Sequence, residues 1–160
     1  RVFAGKKYMD AIYVIPPVAA SVFFIFLYSL FSTIEYYYQK TGFIAIATCV
    51  CAVLNLVLNY FGIKMYGYYA AGYTTLICYV CLAFFHYIFY KKALKEVGNE
   101  ENMYDVKLIV SLSAIVIAIM IIMALTYSQT WIRYGLLIAI VCVSIIFKNK
   151  ILEAISALRK

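Results

Sequence analysis

Apolar and polar positions alternate along this chain in long blocks. Four stretches run more than 20 residues without an Asp, Glu, Lys or Arg: Ala11–Ile34, Thr41–Ile63, Met65–Tyr90 and Leu108–Ile132. A shorter one follows at Tyr134–Phe147. The hydrocarbon core of a bilayer is crossed by about 20 apolar residues at a rise of 1.5 Å each. The pattern therefore predicts an all-α, polytopic transmembrane helix bundle with five spans. Residues 1–10 read as a loop, 11–90 as three spans, 91–107 as a hydrophilic loop and 108–147 as two further spans. In 148–160, Ile151, Leu152, Ile155 and Leu158 fall on one helical face against Lys148, Glu153 and Lys160. That is the spacing of a short amphipathic helix lying at the membrane surface.

Composition strengthens this reading. The chain is 67% hydrophobic and 13% charged, against about 45–50% and about 25% in soluble domains. The net charge of +7 falls almost entirely between the apolar runs. It is the trace of loop orientation rather than of nucleic-acid binding, and no nucleic-acid partner is expected. With five spans, Arg1, Lys6, Lys7, Lys64 and Arg133 fall on one side. Lys40, Lys91, Lys92, Lys95, Lys107, Lys148, Lys150, Arg159 and Lys160 fall on the other. The richer side is the cytoplasmic one by the positive-inside rule, which places the C-terminus in the cytoplasm. Many of the 17 Tyr sit at the ends of the runs, as an interfacial belt requires. The opening polar segment is expected to be a loop cut from a longer protein, with a complete five-span protein as the alternative.

Few side chains could carry chemistry. His86 is the one histidine. Cys81 lies five residues before it, but no Ser–His or Cys–His arrangement has a third orienting group nearby, so His86 reads as a packing or interfacial residue, with a proton-coupling role as the sharper alternative. Cys49, Cys51, Cys78, Cys81 and Cys142 lie within spans and read as small packing residues. No catalytic residue, metal site or cofactor is expected.

Polar residues inside the spans say more. Asn55 and Asn59 are four apart and share a helix face, which Thr48 continues. In a membrane they serve either as interhelical glue or as the lining of a polar cavity. Gly67, Ala71 and Thr75 keep a small-xxx-small spacing suited to close helix packing, after a tight turn expected at Gly62–Tyr66. Pro16-Pro17 is either a hinge in the first span or an ordinary first-turn pair. Glu35 closes the first span, as a gate carboxylate or, preferably, as an interfacial partner of Lys40.

In order along the chain come Tyr8-x-x-Ala11, Val14-Ile15-Pro16-Pro17, and Leu27-Tyr28-Ser29-Leu30-Phe31-Ser32 leading to Glu35. Lys40-Thr41 with Ile44-Ala45, Asn55-Leu56-Val57-Leu58-Asn59-Tyr60, Tyr66-Gly67-Tyr68 and Ala70-Ala71-Gly72-Tyr73-Thr74-Thr75-Leu76 follow. As an ordered set this resembles the C-terminal half of bacterial polysaccharide flippases. These are the Wzx-like O-antigen and capsule exporters of the multidrug and oligosaccharidyl-lipid exporter superfamily. The resemblance covers about half the chain, from Tyr8 to roughly Tyr90. Phe61-Gly62-Ile63-Lys64-Met65-Tyr66 departs from it where the family often has Ile-Pro before the Gly.

The resemblance implies a five-span piece of the C-terminal lobe of a two-lobe transporter. That transporter sits in the plasma (inner) membrane and flips oligosaccharide linked to a polyprenyl diphosphate carrier by alternating access. Its partners would be membrane lipids and the N-terminal remainder of the same protein, and its last two helices would shelter the lipid tail. On this reading Asn55, Asn59, Thr74, Thr75 and Glu35 line or brace the substrate pathway. Pro16 and Pro17 form the hinge, and Gly67 and Ala71 pack helices. The rivals are an ion-coupled small-molecule exporter of the same superfamily, a membrane-embedded enzyme of polysaccharide assembly, and a scaffold subunit. The exporter calls for a carboxylate deep in a span, and the enzyme for a large outer loop.

Overall fold

The computed structural model describes residues 11–98 and 103–126 together with the single positions 129, 131, 134, 135, 138 and 145. It contains four long helices: α1 (Ile15–Tyr37), α2 (Thr41–Tyr66), α3 (Ala70–Glu96) and α4 (Val106–Thr126). There is no strand among the described residues. All four helices are long and apolar enough to cross a membrane, and on that ground we read the chain as membrane-embedded. The fifth expected span lies outside the described residues but for four scattered positions, as do the opening segment 1–10 and the tail 148–160.

Each helix ends for a local reason. A 3-10 turn over 11–14 leads into α1, whose first turn holds both prolines. Proline is tolerated there because those N–H groups have no intrahelical acceptor. At the far end Gln39 takes φ 57°. The Tyr38, Gln39 and Lys40 amides return to the carbonyls of Ile34, Tyr36 and Glu35 at 3.0, 2.9 and 2.8 Å. The chain leaves α2 through Gly67 at φ 75°, its amide donating to the Ile63 carbonyl at 2.9 Å; glycine adopts this left-handed region without penalty. The Asp105 carboxylate accepts from the amides of Lys107 at 2.9 Å and Leu108 at 3.4 Å, capping α4.

By internal packing the chain divides into two units, 1–121 and 122–160. In the first, α3 lies between α1 and α2, which barely touch each other. The main core joins Ala20, Phe24, Leu27, Phe31 and Ile34 of α1 to Leu76, Ala83, Tyr90 and Leu94 of α3. Those positions recur every three, four or seven residues, as a seam between side-by-side helices demands. A smaller cluster joins Ala47 and Cys51 of α2 to Leu82. No residue of α4 is buried, although Ile109, Val116, Ile117 and Met120 rest against the main core. Of the second unit, the described residues are the last turn of α4 and a few positions beyond it, among them the exposed Trp131.

Three details differ from the sequence reading. The chain reverses at Gly67–Tyr69 rather than at Gly62–Tyr66, because α2 stays hydrogen-bonded until a positive-φ glycine ends it. Pro16 and Pro17 do not interrupt a helix, since they begin one. Gly67 is exposed with nothing within 4 Å of a Cβ added to it, so it is a turn residue rather than a packing residue.

Candidate functional site: a polar groove and a buried carboxylate–imidazole pair

The close approach of α2 and α3 is made at Gly62, where an added Cβ would lie 3.1 Å from Thr74 Cγ2 and 3.2 Å from Ala70 Cβ. Ala71 is half-buried, and its carbonyl accepts the Thr75 hydroxyl at 2.7 Å. The short gap lets polar side chains meet across the helices. Asn59 Nδ2 donates to Asn55 Oδ1 at 2.9 Å, and the Thr74 hydroxyl donates to Asn59 Oδ1 at 2.7 Å. Thr74 has one proton and also reaches the carbonyls of Ala70 at 3.0 Å and Ala71 at 3.1 Å. The interhelical acceptor is the nearest of the three. Asn59 and Thr74 thus brace the helix pair, which is the gluing role that membrane helices give such groups.

Further along the same helix pair, residues of both helices line a groove of about 510 Å³. Thr48, Cys51 and Asn55 line it from α2, and Thr75, Cys78 and Tyr79 from α3. Asn55 therefore belongs to both features, the bracing chain and the groove wall. Leu56 also lines the groove, whereas Ile46, Val50, Val53 and Val57 are exposed on the opposite face of α2. Ala52 and Leu82 complete the lining, and among the described residues no Lys or Arg lines the groove.

Glu35 takes no part in the groove, and it does not pair with Lys40. Lys40 Nζ instead meets Glu96 Oε2 at 2.6 Å, at the end of α3, where both side chains are about one-third exposed (34% and 38%). Glu35 points inward between α1 and α3, and its Oε1 lies 2.9 Å from His86 Nδ1. The two side chains are 0% and 1% exposed. The Tyr28 ring lies 5.6 Å from the imidazole and stacks on Tyr79 at 6.3 Å. Glu35 Oε2, His86 Nε2 and the Tyr90 hydroxyl are buried without a hydrogen-bond partner. Tyr90 follows His86 by one turn and stacks on Phe31 at 5.4 Å.

Sequence reasoning singled out Glu35 and His86 separately and missed the pair. A signal was present: each is a lone ionisable group near the same-side end of an apolar run, in spans that traverse the membrane in the same direction. Burial of an isolated charge at such depth is costly, so two such groups invite a search for contact. Cys49, Cys51, Cys78 and Cys81 are free thiols, and no group of three potential metal ligands occurs among the described residues.

With this geometry in view, the chain was compared with known proteins: no protein-family model, no curated protein and no solved structure matches it. What the fold itself defines is a class, a helical membrane protein with at least four helices of spanning length.

Proposed function

We propose that the chain forms part of the C-terminal lobe of a transporter that flips polyprenyl-diphosphate-linked oligosaccharide across the plasma membrane for cell-surface polysaccharide. In this proposal the C-terminus is cytoplasmic and the chain does no covalent chemistry. The polar groove carries the proposal. Thr48, Asn55 and Thr75 open onto a surface that is otherwise apolar, and polar groups at bilayer depth face protein or a water-filled cavity rather than lipid. A glycan with many hydroxyl groups suits a wall of amide and hydroxyl side chains. The carrier's diphosphate needs cations, which the groove lacks, so the remainder of the protein would supply them.

Export by a strain lacking its own oligosaccharide flippase tests this reading. The full-length parent protein should restore surface glycan, and Asn55→Leu within it should abolish that rescue at an unchanged protein level. If Asn55→Leu exports as well as the wild type, the groove is not on the substrate path.

One observation favours a second reading, the ion-coupled small-molecule exporter. That reading calls for a carboxylate deep in a span; Glu35 lies near the end of α1, but it is fully buried between α1 and α3. Failure of glycan rescue together with acid-driven efflux of a cationic dye would move the assignment to it.

A further inference from the structure

Glu35 and His86 meet with no water-accessible surface on either side chain to speak of. A charge in such a place costs several kcal/mol even after relaxation. The pair escapes that cost in one protonation state, with a single proton between the two groups. It is then overall neutral, whether written as carboxylate with imidazolium or as carboxylic acid with imidazole. Removing that proton, or adding a second, leaves a net charge sealed between two helices. The atoms through which a proton would come or go are Glu35 Oε2 and His86 Nε2, and these are buried without partners. The seam around them is tight: Phe31 stacks on Tyr90 at 5.4 Å, and Tyr28 covers the imidazole face at 5.6 Å.

Among the described residues no other charge is placed to compensate. The ionisable neighbours from α1 and α3 are the phenols of Tyr28, Tyr79 and Tyr90, and Tyr104 contributes a phenol from the α3–α4 connection, 5.8 Å from the Tyr90 ring. On the α2 side the adjoining cluster contains the Cys51 thiol. Lys40 and Glu96 neutralise each other, Lys91 and Lys92 lie over the rings of Tyr87 and Phe43, and the ionisable residue of α4, Lys107, is exposed.

We propose that Glu35 and His86 form a proton-binding site gated by the α1–α3 interface. Closed, the site holds one proton. When the helices part and water enters, hydronium transfers a proton to Glu35, leaving a carboxylic acid beside an imidazolium and releasing a water molecule. The helices cannot reclose on that net positive charge without cost, so proton uptake and helix separation promote each other, as linkage requires. The site stands on the α1–α3 geometry and is independent of the cargo.

Two measurements on the protein in lipid nanodiscs test this. With histidine labelled by ¹⁵N, and the His86→Gln spectrum identifying the signal, the ring N–H of His86 should survive transfer into D₂O at least about a hundredfold longer than a solvent-exposed imidazole N–H. Phe31→Ala, which opens the seam, should shorten it. Second, amide hydrogen exchange read by mass spectrometry should be compared between the wild type and Glu35→Gln/His86→Gln at matched pH. In acid, the wild type should exchange about tenfold faster than the variant around Phe31–Glu35 and Ala83–Tyr90, and the difference should vanish at neutral pH. An N–H that exchanges immediately overturns the gating. An α1–α3 seam in the wild type with no acid-dependent opening overturns the coupling, and that comparison can be made on the wild type alone if the variant does not fold. Neither result bears on glycan export, so failure here is distinguishable from failure of the flippase reading.

Discussion

Replacing Gly72 by alanine probes the approach of α3 to the start of α1. An added Cβ would lie 2.6 Å from Val14 Cγ1, 3.2 Å from Pro17 Cγ and 3.3 Å from the Val14 carbonyl oxygen. The first contact is closer than carbon atoms tolerate. Valine has little rotamer freedom with which to yield, and moving it leaves the proline ring and a backbone oxygen still crowding the methyl. Overpacking of this kind costs about 1–3 kcal/mol, and the severity of the first contact argues for the upper end. Alanine recovers about 0.8–1.0 kcal/mol of helix propensity relative to glycine. The net loss should therefore be about 2 kcal/mol, a change of roughly thirtyfold in the unfolding equilibrium. Reversible SDS unfolding in mixed micelles, followed by circular dichroism, reads this directly. Val14→Ala removes the closest atom, so the double variant should be more stable than the sum of the single effects predicts, with a coupling of about 1–2 kcal/mol. A Gly72→Ala protein as stable as the wild type would refute the reasoning, and so would strict additivity with Val14→Ala.

Other perturbations test the remaining contacts. Removing one member of the buried pair, by Glu35→Ala or His86→Ala, should cost about 3–5 kcal/mol, whereas Glu35→Met/His86→Phe should lie much nearer the wild type because no uncompensated charge is left; the same unfolding assay checks both. Thr74→Val should cost about 0.6 kcal/mol and no more than about 1.7, and adding Asn59→Leu should cost less than Asn59→Leu does alone, because the Thr74–Asn59 bond is already gone and only the Asn59–Asn55 bond remains to be lost. Asn55→Leu should leave stability nearly unchanged while abolishing glycan rescue, and a large stability loss would show that Asn55 braces the helices more than it serves the groove.

The prolines, the glycines and the acidic side chain show where sequence reasoning stops. Proline at a helix start and proline at a kink look the same in sequence, and the choice depends on whether a helical turn precedes it. Here the turn before them is 3-10 rather than α, so Pro16 and Pro17 stand in the first turn of the α-helix rather than within it. Gly67 and Gly62 are both small residues near one turn. Backbone geometry assigned the first to the turn, with its positive φ, and the second to the helix contact. The Asn55–Asn59 face followed from a four-residue spacing, and Thr74 was expected on the same pathway, but its hydrogen bond to Asn59 emerged only from the packing of α2 against α3. Glu35 was misplaced for the opposite reason. Lys40 is close in sequence, but the helix end turns that lysine toward Glu96, while the α1 face carrying Phe24, Leu27 and Phe31 rotates Glu35 inward.

From sequence alone came the membrane class, the positions of four helices to within about six residues at either end, and the polar stripe on α2. All of these depend on local composition and on the 3.6-residue period, which neighbouring residues determine between themselves. The tertiary structure decided that α3 sits between α1 and α2, that Asn59 is bound to Thr74, and that Glu35 meets a histidine 51 residues away. Those outcomes depend on which helix faces meet. In an almost uniformly apolar chain many faces are equally hydrophobic, so shape and a few polar contacts make the choice, and neither is visible before the helices are packed.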